Sequence, residues 1–237
     1  MARPRLALLN AAHDGTDTRR NFRRELDADL VEFDATGREL PETFAFDGFV
    51  VTGSRASVYW AEPWIADLKA WVEEAIETGL GGLGVCFGHQ LVAAVLGGDV
   101  EAMDDYEIGY REIERTGPSR LLSGIDRTFT AFTTHSDRVA TLPPGATRLA
   151  ENEYGIHAFR AGTVFGVQFH PEYDQATARA VTRSKDELTD ERKAAVLDGI
   201  TRPSYLAACT AKQVFENVTQ ELGDNEHGAG SGTVAGD

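Results

Sequence analysis

Cys86 lies in Gly84-Val85-Cys86-Phe87-Gly88-His89-Gln90, with a glycine two residues before it and another two residues after. A short apolar run within Gly81 to Val85 ends just before it, and the helix-compatible run Leu91 to Leu96 follows. The stretch predicts a strand, a sharp turn and a helix. A nucleophile on such a turn crowds the neighbouring backbone, and Gly84 and Gly88 remove the side chains that would clash. Gly-x-Cys-x-Gly is thus the thiol counterpart of the Gly-x-Ser-x-Gly elbow of serine hydrolases. The helix N-terminus also favours a thiolate through its free N–H groups and dipole. Taken alone, the pattern also describes, less well, a small buried cysteine packed between glycines.

A free thiol titrates near ~8.5, so at neutral pH a nucleophilic cysteine needs a base or a positive neighbour. The chain has six histidines: His13, His89, His135, His157, His170 and His227. His170 has the best context, because it caps an apolar strand and is followed by Pro171 and Glu172. Glu172 can accept the second imidazole N–H, fixing the tautomer and stabilising the imidazolium. His89 belongs to the helix after the thiol and points away from it. His135, in Thr134-His135-Ser136-Asp137, is the competitor as base. Acyl transfer also needs two donors aimed at the developing oxyanion. The N–H of Phe87 is one candidate. The other comes from Thr52-Gly53-Ser54, as the N–H of Ser54, with Gly53 permitting the tight turn.

These residues need a frame that brings distant strand ends together. Arg5 to Asn10, Leu30 to Phe33 and Phe46 to Val51 read as short buried strands, with helices at Thr18 to Asp29 and Glu62 to Glu77. Trp64, Leu68, Trp71, Val72 and Ala75 recur at helical spacing, which marks the tryptophans as core. Strands alternating with helices predict a mainly parallel central sheet flanked by helices, an α/β fold with its site outside the carboxyl ends of the strands. Beyond Gly97-Gly98 the pattern becomes strand-rich, and Tyr110 to Phe169 predicts a smaller antiparallel β portion. Gln175 to Leu188, Asp190 to Ile200 and Ser204 to Leu222 read as helices. The domain spans 1–222, with a core of about 5–183 and added C-terminal helices over about 185–222; 223–237 reads as a disordered tail.

Composition narrows the partners. The net charge of −15, from 23 basic and 38 acidic side chains, argues against nucleic acid or an anionic membrane. Such an acid-coated surface suits high salt, as in a halophile. Two cysteines are too few for a disulfide framework and match no zinc motif, so neither metal nor cofactor is expected. No secretory leader or long apolar span is visible, which predicts a cytoplasmic protein.

With these residues in hand, the chain resembles the class I (triad-type) glutamine amidotransferases, whose fold is flavodoxin-like. The likeness rests on Gly84 to Gln90, on Gly166-Val167-Gln168-Phe169-His170-Pro171-Glu172, on Thr52-Gly53-Ser54 with Ser57-Val58-Tyr59, and on Thr134-His135-Ser136-Asp137-Arg138-Val139. It implies a Cys86-His170-Glu172 triad that hydrolyses the side-chain amide of glutamine through a cysteine thioester. It also implies that Gln90 binds glutamine and that the segment around His135 and Ser136 adds backbone contacts. The stretch from Thr52 to Ile65 is similar to stand-alone GMP synthase-like members and to γ-glutamyl peptidases. Gly53-Ser54-Arg55 replaces the Gly-Gly-Pro common in GMP synthases. No synthetase domain follows in the sequence, so the resemblance implies a stand-alone glutaminase supplying ammonia to a synthetase partner. The alternatives are a γ-glutamyl peptidase working without a partner and a non-catalytic regulatory homologue. Retention of Cys86, His170 and Glu172 speaks against the last.

Overall fold

A computed structural model describes residues 3–13 and 15–224. Its sheet has nine strands: β1 (Arg5–Asn10), β2 (Asp29–Asp34), β3 (Gly48–Val51), β4 (Gly82–Val85), β5 (Asp99–Arg115), β6 (Thr128–Thr141), β7 (Thr147–Asn152), β8 (Gly155–Ala161) and β9 (Val164–Val167), in the order β2-β1-β3-β4-β9-β8-β7-β5-β6. The pairings from β2 to β9 are parallel, and those from β9 through β8, β7 and β5 to β6 are antiparallel. The antiparallel portion is therefore not the smaller one. Its size comes from β5 and β6, which run for 17 and 14 residues. Their solvent-facing polar residues hide the strand signal outside the most apolar segments.

The short parallel strands β3, β4 and β9 are buried at every position. Helices cover both faces, which explains their nearly unbroken apolar character. Along β1 the side chains alternate: Leu6 and Leu8 join Phe22, Phe215, Val218 and Leu222 on one face, while Ala7 and Leu9 join Trp64, Leu68, Phe87 and Leu91 on the other. The first layer is supplied by α1 (Thr16–Glu25) and a C-terminal helix, Gln213–Asp224. The second is α2 (Pro63–Glu77) and α3 (Phe87–Val95). Trp64 and Trp71 are buried in that layer, and the Trp71 indole donates to the carbonyl of Pro41 at 2.9 Å.

Three shorter helices precede the C-terminal one: α4 (Gln175–Arg183), α5 (Asp190–Gly199) and α6 (Arg202–Ala208). The helix expected to run to Leu188 stops at Arg183, and a 3₁₀ turn at Cys209–Lys212 separates α6 from the final helix, α7 (Gln213–Asp224). The side chains of Asp174 and Thr201 cap α4 and α6 by accepting from Thr177 and Ser204 N–H groups. Buried Val214, Phe215, Val218 and Leu222 place α7 in the main core. By contrast α5 has no buried residue and lies over a satellite cluster of Ile108, Phe132, Leu188 and Ile200. Of the stretch read as a tail, Gly223 and Asp224 end α7, and 225–237 lie outside the described residues. No helix among the described residues is long and apolar enough to cross a membrane.

Candidate active site

Cys86 sits between β4 and α3 with φ 52° and ψ −103°. Among the described residues only Arg38 is another non-glycine with positive φ. A cysteine held there is strained, and such strain persists only where the surroundings impose it. The surroundings are the neighbouring backbone: a Cβ on Gly84 would fall 2.2 Å from the carbonyl oxygen of Gly88, and one on Gly88 would fall 2.3 Å from that of Val51. Helix α3 is thereby seated directly on β3 and β4. The Cys86 N–H donates to the Val167 carbonyl at 2.8 Å, and its sulfur lies 3.8 Å from the Thr134 carbonyl. The residue is 5% exposed.

The parallel register pairs Gly84 with Gly166 and Val85 with Val167, so the chain leaving β9 delivers His170 beside the end of β4. The His170 N–H donates to the Phe132 carbonyl at 2.8 Å, and its ring stacks on Tyr173 with centroids 4.2 Å apart. Nδ1 of His170 lies 2.7 Å from Oε1 of Glu172, which leaves Nε2 for the thiol. Glu172 is buried, and Arg24 donates to its backbone carbonyl at 2.6 Å. Burial disfavours the charged imidazolium of His170, but the Glu172 carboxylate and the Cys86 sulfur outweigh it and raise the pKa to about 10. The three residues singled out in the sequence thus meet at one point.

Two cavities flank this point. The smaller, about 50 Å³, is lined by Cys86, Phe87, Ser54, Gln90, Ser136 and Glu187, among others. The larger, about 490 Å³, lies on the imidazole side and is lined by Gly53, His170, Tyr173, His13 and Ser184, among others. Ser54, Arg55, Thr134 and Lys185 border both. Phe87 opens α3, where its N–H has no intrahelical acceptor. The Ser54 hydroxyl accepts from the Ala56 N–H at 3.2 Å, which shapes the loop after β3. Gln90 reaches the smaller cavity, but its amide donates to the Asp137 carbonyl at 2.9 Å and to Gln168 Oε1 at 3.0 Å. Only its carbonyl oxygen is left for a ligand.

His135 borders the smaller cavity with both ring nitrogens already engaged. Nδ1 is 2.9 Å from the Asp137 carbonyl, and Nε2 is 2.5 Å from Oε2 of Glu107, its cross-strand partner. Both nitrogens are committed to these acceptors, and it is the His170 ring that lies beside the end of β4. Asn152 donates to the other Glu107 oxygen at 2.7 Å, and His157 Nε2 approaches Oε2 to 3.1 Å. That last approach lacks the direction of a hydrogen bond, and burial pushes the His157 imidazole down in pKa. Burial works against the Glu107 carboxylate, yet the two histidines hold its pKa well below the usual range. Glu107, His135 and His157 are the residues of metal-ligand type that converge away from the thiol among the described residues. His89 is buried against Phe159 under the sheet, where burial pushes its pKa down to about 3.

Several lining residues received no role from the sequence, although Asp137, Ser57 and Tyr59 lie within its motifs. Asp137 accepts from Ser57 Oγ at 2.5 Å and from Tyr59 OH at 2.9 Å, tying the loop after β3 to β6. Lys185 and Glu187 come from the connection between α4 and α5, and no spacing rule links them to Cys86. Arg55 follows the Gly53-Ser54 turn directly and was within reach of that motif.

The profile of the family described as "Glutamine amidotransferase class-I" matches residues 18–185. A protein of Thermomicrobium roseum named GMP synthase (glutamine-hydrolyzing) is 38% identical over 126 residues, 53% of this chain and 23% of that one. One of the same name from Burkholderia vietnamiensis is 31% identical over 194 residues, 77% of this chain and 34% of that one. The chain spans about a third or less of the length of these curated relatives. Among solved structures, a glutamine amidotransferase from Thermotoga maritima superposes with TM-score 0.78 at 23% identity, covering 93% of this chain and 100% of that one. One from Methylobacillus flagellatus gives 0.73 at 20% identity, covering 94% and 95%. These structures establish the shared fold.

Proposed function

Because the chain belongs to the class I glutamine amidotransferase family, we propose that it hydrolyses the side-chain amide of glutamine at Cys86 and passes the ammonia to a synthetase. The observation that carries this reading is the strained Cys86 beside a His170 hydrogen-bonded to buried Glu172 at 2.7 Å. The Cys86 thiolate attacks the amide carbon, and the carbonyl electrons move onto oxygen, which the N–H groups of Phe87 and Ser54 stabilise. When the tetrahedral species collapses, the C–N bond breaks, His170 gives its proton to the nitrogen, and ammonia leaves. Neutral His170 then takes a proton from water as the water attacks the thioester. When this second tetrahedral species collapses, the C–S bond breaks, leaving the Cys86 thiolate beside the imidazolium, while the product's γ-carboxyl loses its proton to solvent as glutamate. Glu172 holds the imidazole in register through both halves. Gln90 and the backbone around His135 and Ser136 line the acyl side.

The relatives named GMP synthase make a GMP-forming synthetase the first partner to test. Glutamate release from glutamine should be measured for the wild type and Cys86→Ala, alone and with the candidate synthetase. Release that requires Cys86 supports the reading; no release from the wild type, with or without partner, overturns it.

A second reading is favoured by the larger cavity. About 490 Å³ opens on the side from which the leaving group departs, whereas a water-sized amine needs about 10–15 Å³. A γ-glutamyl peptide would place its amine portion there. Cys86-dependent release of glutamate from γ-glutamyl dipeptides but not from glutamine selects this reading.

A further inference from the structure

Lys185 is 8% exposed, and among the described residues its ammonium makes no hydrogen bond or ion pair; it lies 5.0 Å from the centroid of the Tyr106 ring. An ammonium on a largely buried stem, opening onto the cavity space with no anionic partner among the described residues, is placed to receive an anion. It borders both cavities beside His170 and shares that position with Arg55. The Arg55 guanidinium donates to the Ser184 hydroxyl at 2.5 Å, so the loop after β3 and the end of α4 hold the two cations side by side. Glu187, two residues on, borders the smaller, acyl-side cavity and not the larger one. Two cations and one carboxylate therefore surround the space that would hold the end of the substrate remote from its amide.

We propose that Lys185 and Arg55 form the subsite for the α-carboxylate of a γ-glutamyl substrate, with Glu187 receiving its α-ammonium. The proposal rests on the amidase reading of Cys86 and names what selects the substrate. An amino-acid zwitterion matches the set, since each of its charges meets the opposite sign in charge-assisted hydrogen bonds. An amide lacking the α-carboxylate leaves Lys185 unpaired and is disfavoured. The family profile ends at residue 185, so Glu187 lies outside the shared region and Lys185 at its edge.

The test compares L-glutamine with its α-carboxamide, glutaminamide, and γ-glutamylglycine with γ-glutamylmethylamide, in the wild type, Lys185→Met and Lys185→Arg. The expected result is a KM for glutamine raised about tenfold or more in Lys185→Met with kcat little changed, partial recovery in Lys185→Arg, and loss of the preference for glutamine over glutaminamide. An unchanged KM for glutamine overturns the proposal. So does a penalty confined to γ-glutamylglycine, which would move the carboxylate to the leaving group. Calorimetric binding of L-glutamate to Cys86→Ala, with and without Lys185→Met, separates the two readings. Lys185-dependent glutamate binding in a protein whose wild type hydrolyses nothing keeps the subsite and rejects the amidase. Hydrolysis with Lys185-independent binding does the reverse. Far-ultraviolet circular dichroism of each variant confirms that it is folded.

Discussion

Gly53 and His170 share one space: a Cβ on Gly53 would stand 2.9 Å from Cε1 of the imidazole and 3.6 Å from Cβ of Cys86. The ring is held between this bare backbone on one side and the stacked Tyr173 on the other. Gly53→Ala must therefore displace His170 or the loop. An error of this size at a reacting group costs about 10²-fold in rate. We expect kcat/KM for glutamine to fall by that order while the melting temperature changes little. A variant with wild-type kcat/KM would show that the imidazole has room to spare.

Strain at Cys86 sets function against stability. With φ 52° there, glycine fits the backbone better than any residue with a Cβ. Cys86→Gly and Cys86→Ala should both be inactive, with the glycine variant the more stable by about 1–3 kcal/mol. Denaturant melts of the two variants check this, and comparing them with each other removes the contribution of the thiol.

The pH response follows from His170, whose ordinary pKa of 6.5 is raised to about 10. Its stabilising contribution is complete below pH 6.5 and is lost as pH rises through about 10. Stability measured from pH 6 to 11 should decline across that window and then level off. Glutamine hydrolysis should persist to about pH 9 and fall near 10, as the proton needed by the leaving ammonia is lost. Glu172→Gln should pull both transitions toward neutral pH and lower kcat by about 10²-fold or more. A stability profile that is flat above neutral pH would contradict the assignment.

Glu107 is a buried carboxylate between two histidines, contacting His135 at 2.5 Å and His157 at 3.1 Å. Removing the carboxylate leaves His135 Nε2 and the Asn152 amide without their acceptor, and each buried group so orphaned costs about 1–3 kcal/mol. Glu107→Ala should be destabilised by a cost of that order in urea melts. Because His135 lies on the strand that borders the thiol cavity, KM for glutamine should rise in whatever fraction remains folded.

The charge balance of 38 acidic against 23 basic side chains gives a molecule that repels itself at low ionic strength. Screening shortens that repulsion, with a Debye length of about 10 Å at 0.1 M and 3 Å at 1 M. Thermal stability should rise as salt is raised toward molar concentration. A protein fully folded and active without added salt, and inactivated by molar salt, would refute the high-salt adaptation we propose.

Much of the site could be read in the sequence because its chemistry is local. Gly84, Cys86 and Gly88 carry their own turn, and His170 and Glu172 are two residues apart, so burial and the fold needed only to bring two short segments together. The parallel half of the sheet was legible for a similar reason, since β3, β4 and β9 are apolar at nearly every position. The extent of β5 and β6 was not, because exposed Glu101 and Glu112 and half-buried Arg138 interrupt their pattern. The substrate-side residues were hidden for a different reason. Lys185 stands 99 positions after Cys86 in the chain, and only the folded path of the connection after α4 brings it to the cavity.

The packing of α7 bears on when the protein can become active. Leu222 fills the space beside Gly48 and Gly81, and its methyl groups would lie 2.7 Å from a Cβ at either position. Those glycines stand at the beginnings of β3 and β4, the strands whose far ends carry Gly53 and Cys86. A ribosome must therefore have passed Leu222 before the strands that lead to Gly53 and Cys86 are packed at their opposite ends. Nascent chains that stop ahead of α7 would carry Cys86 on strands whose opposite ends lack the Leu222 packing, so the cysteine turn reaches its full support only once this helix has been made.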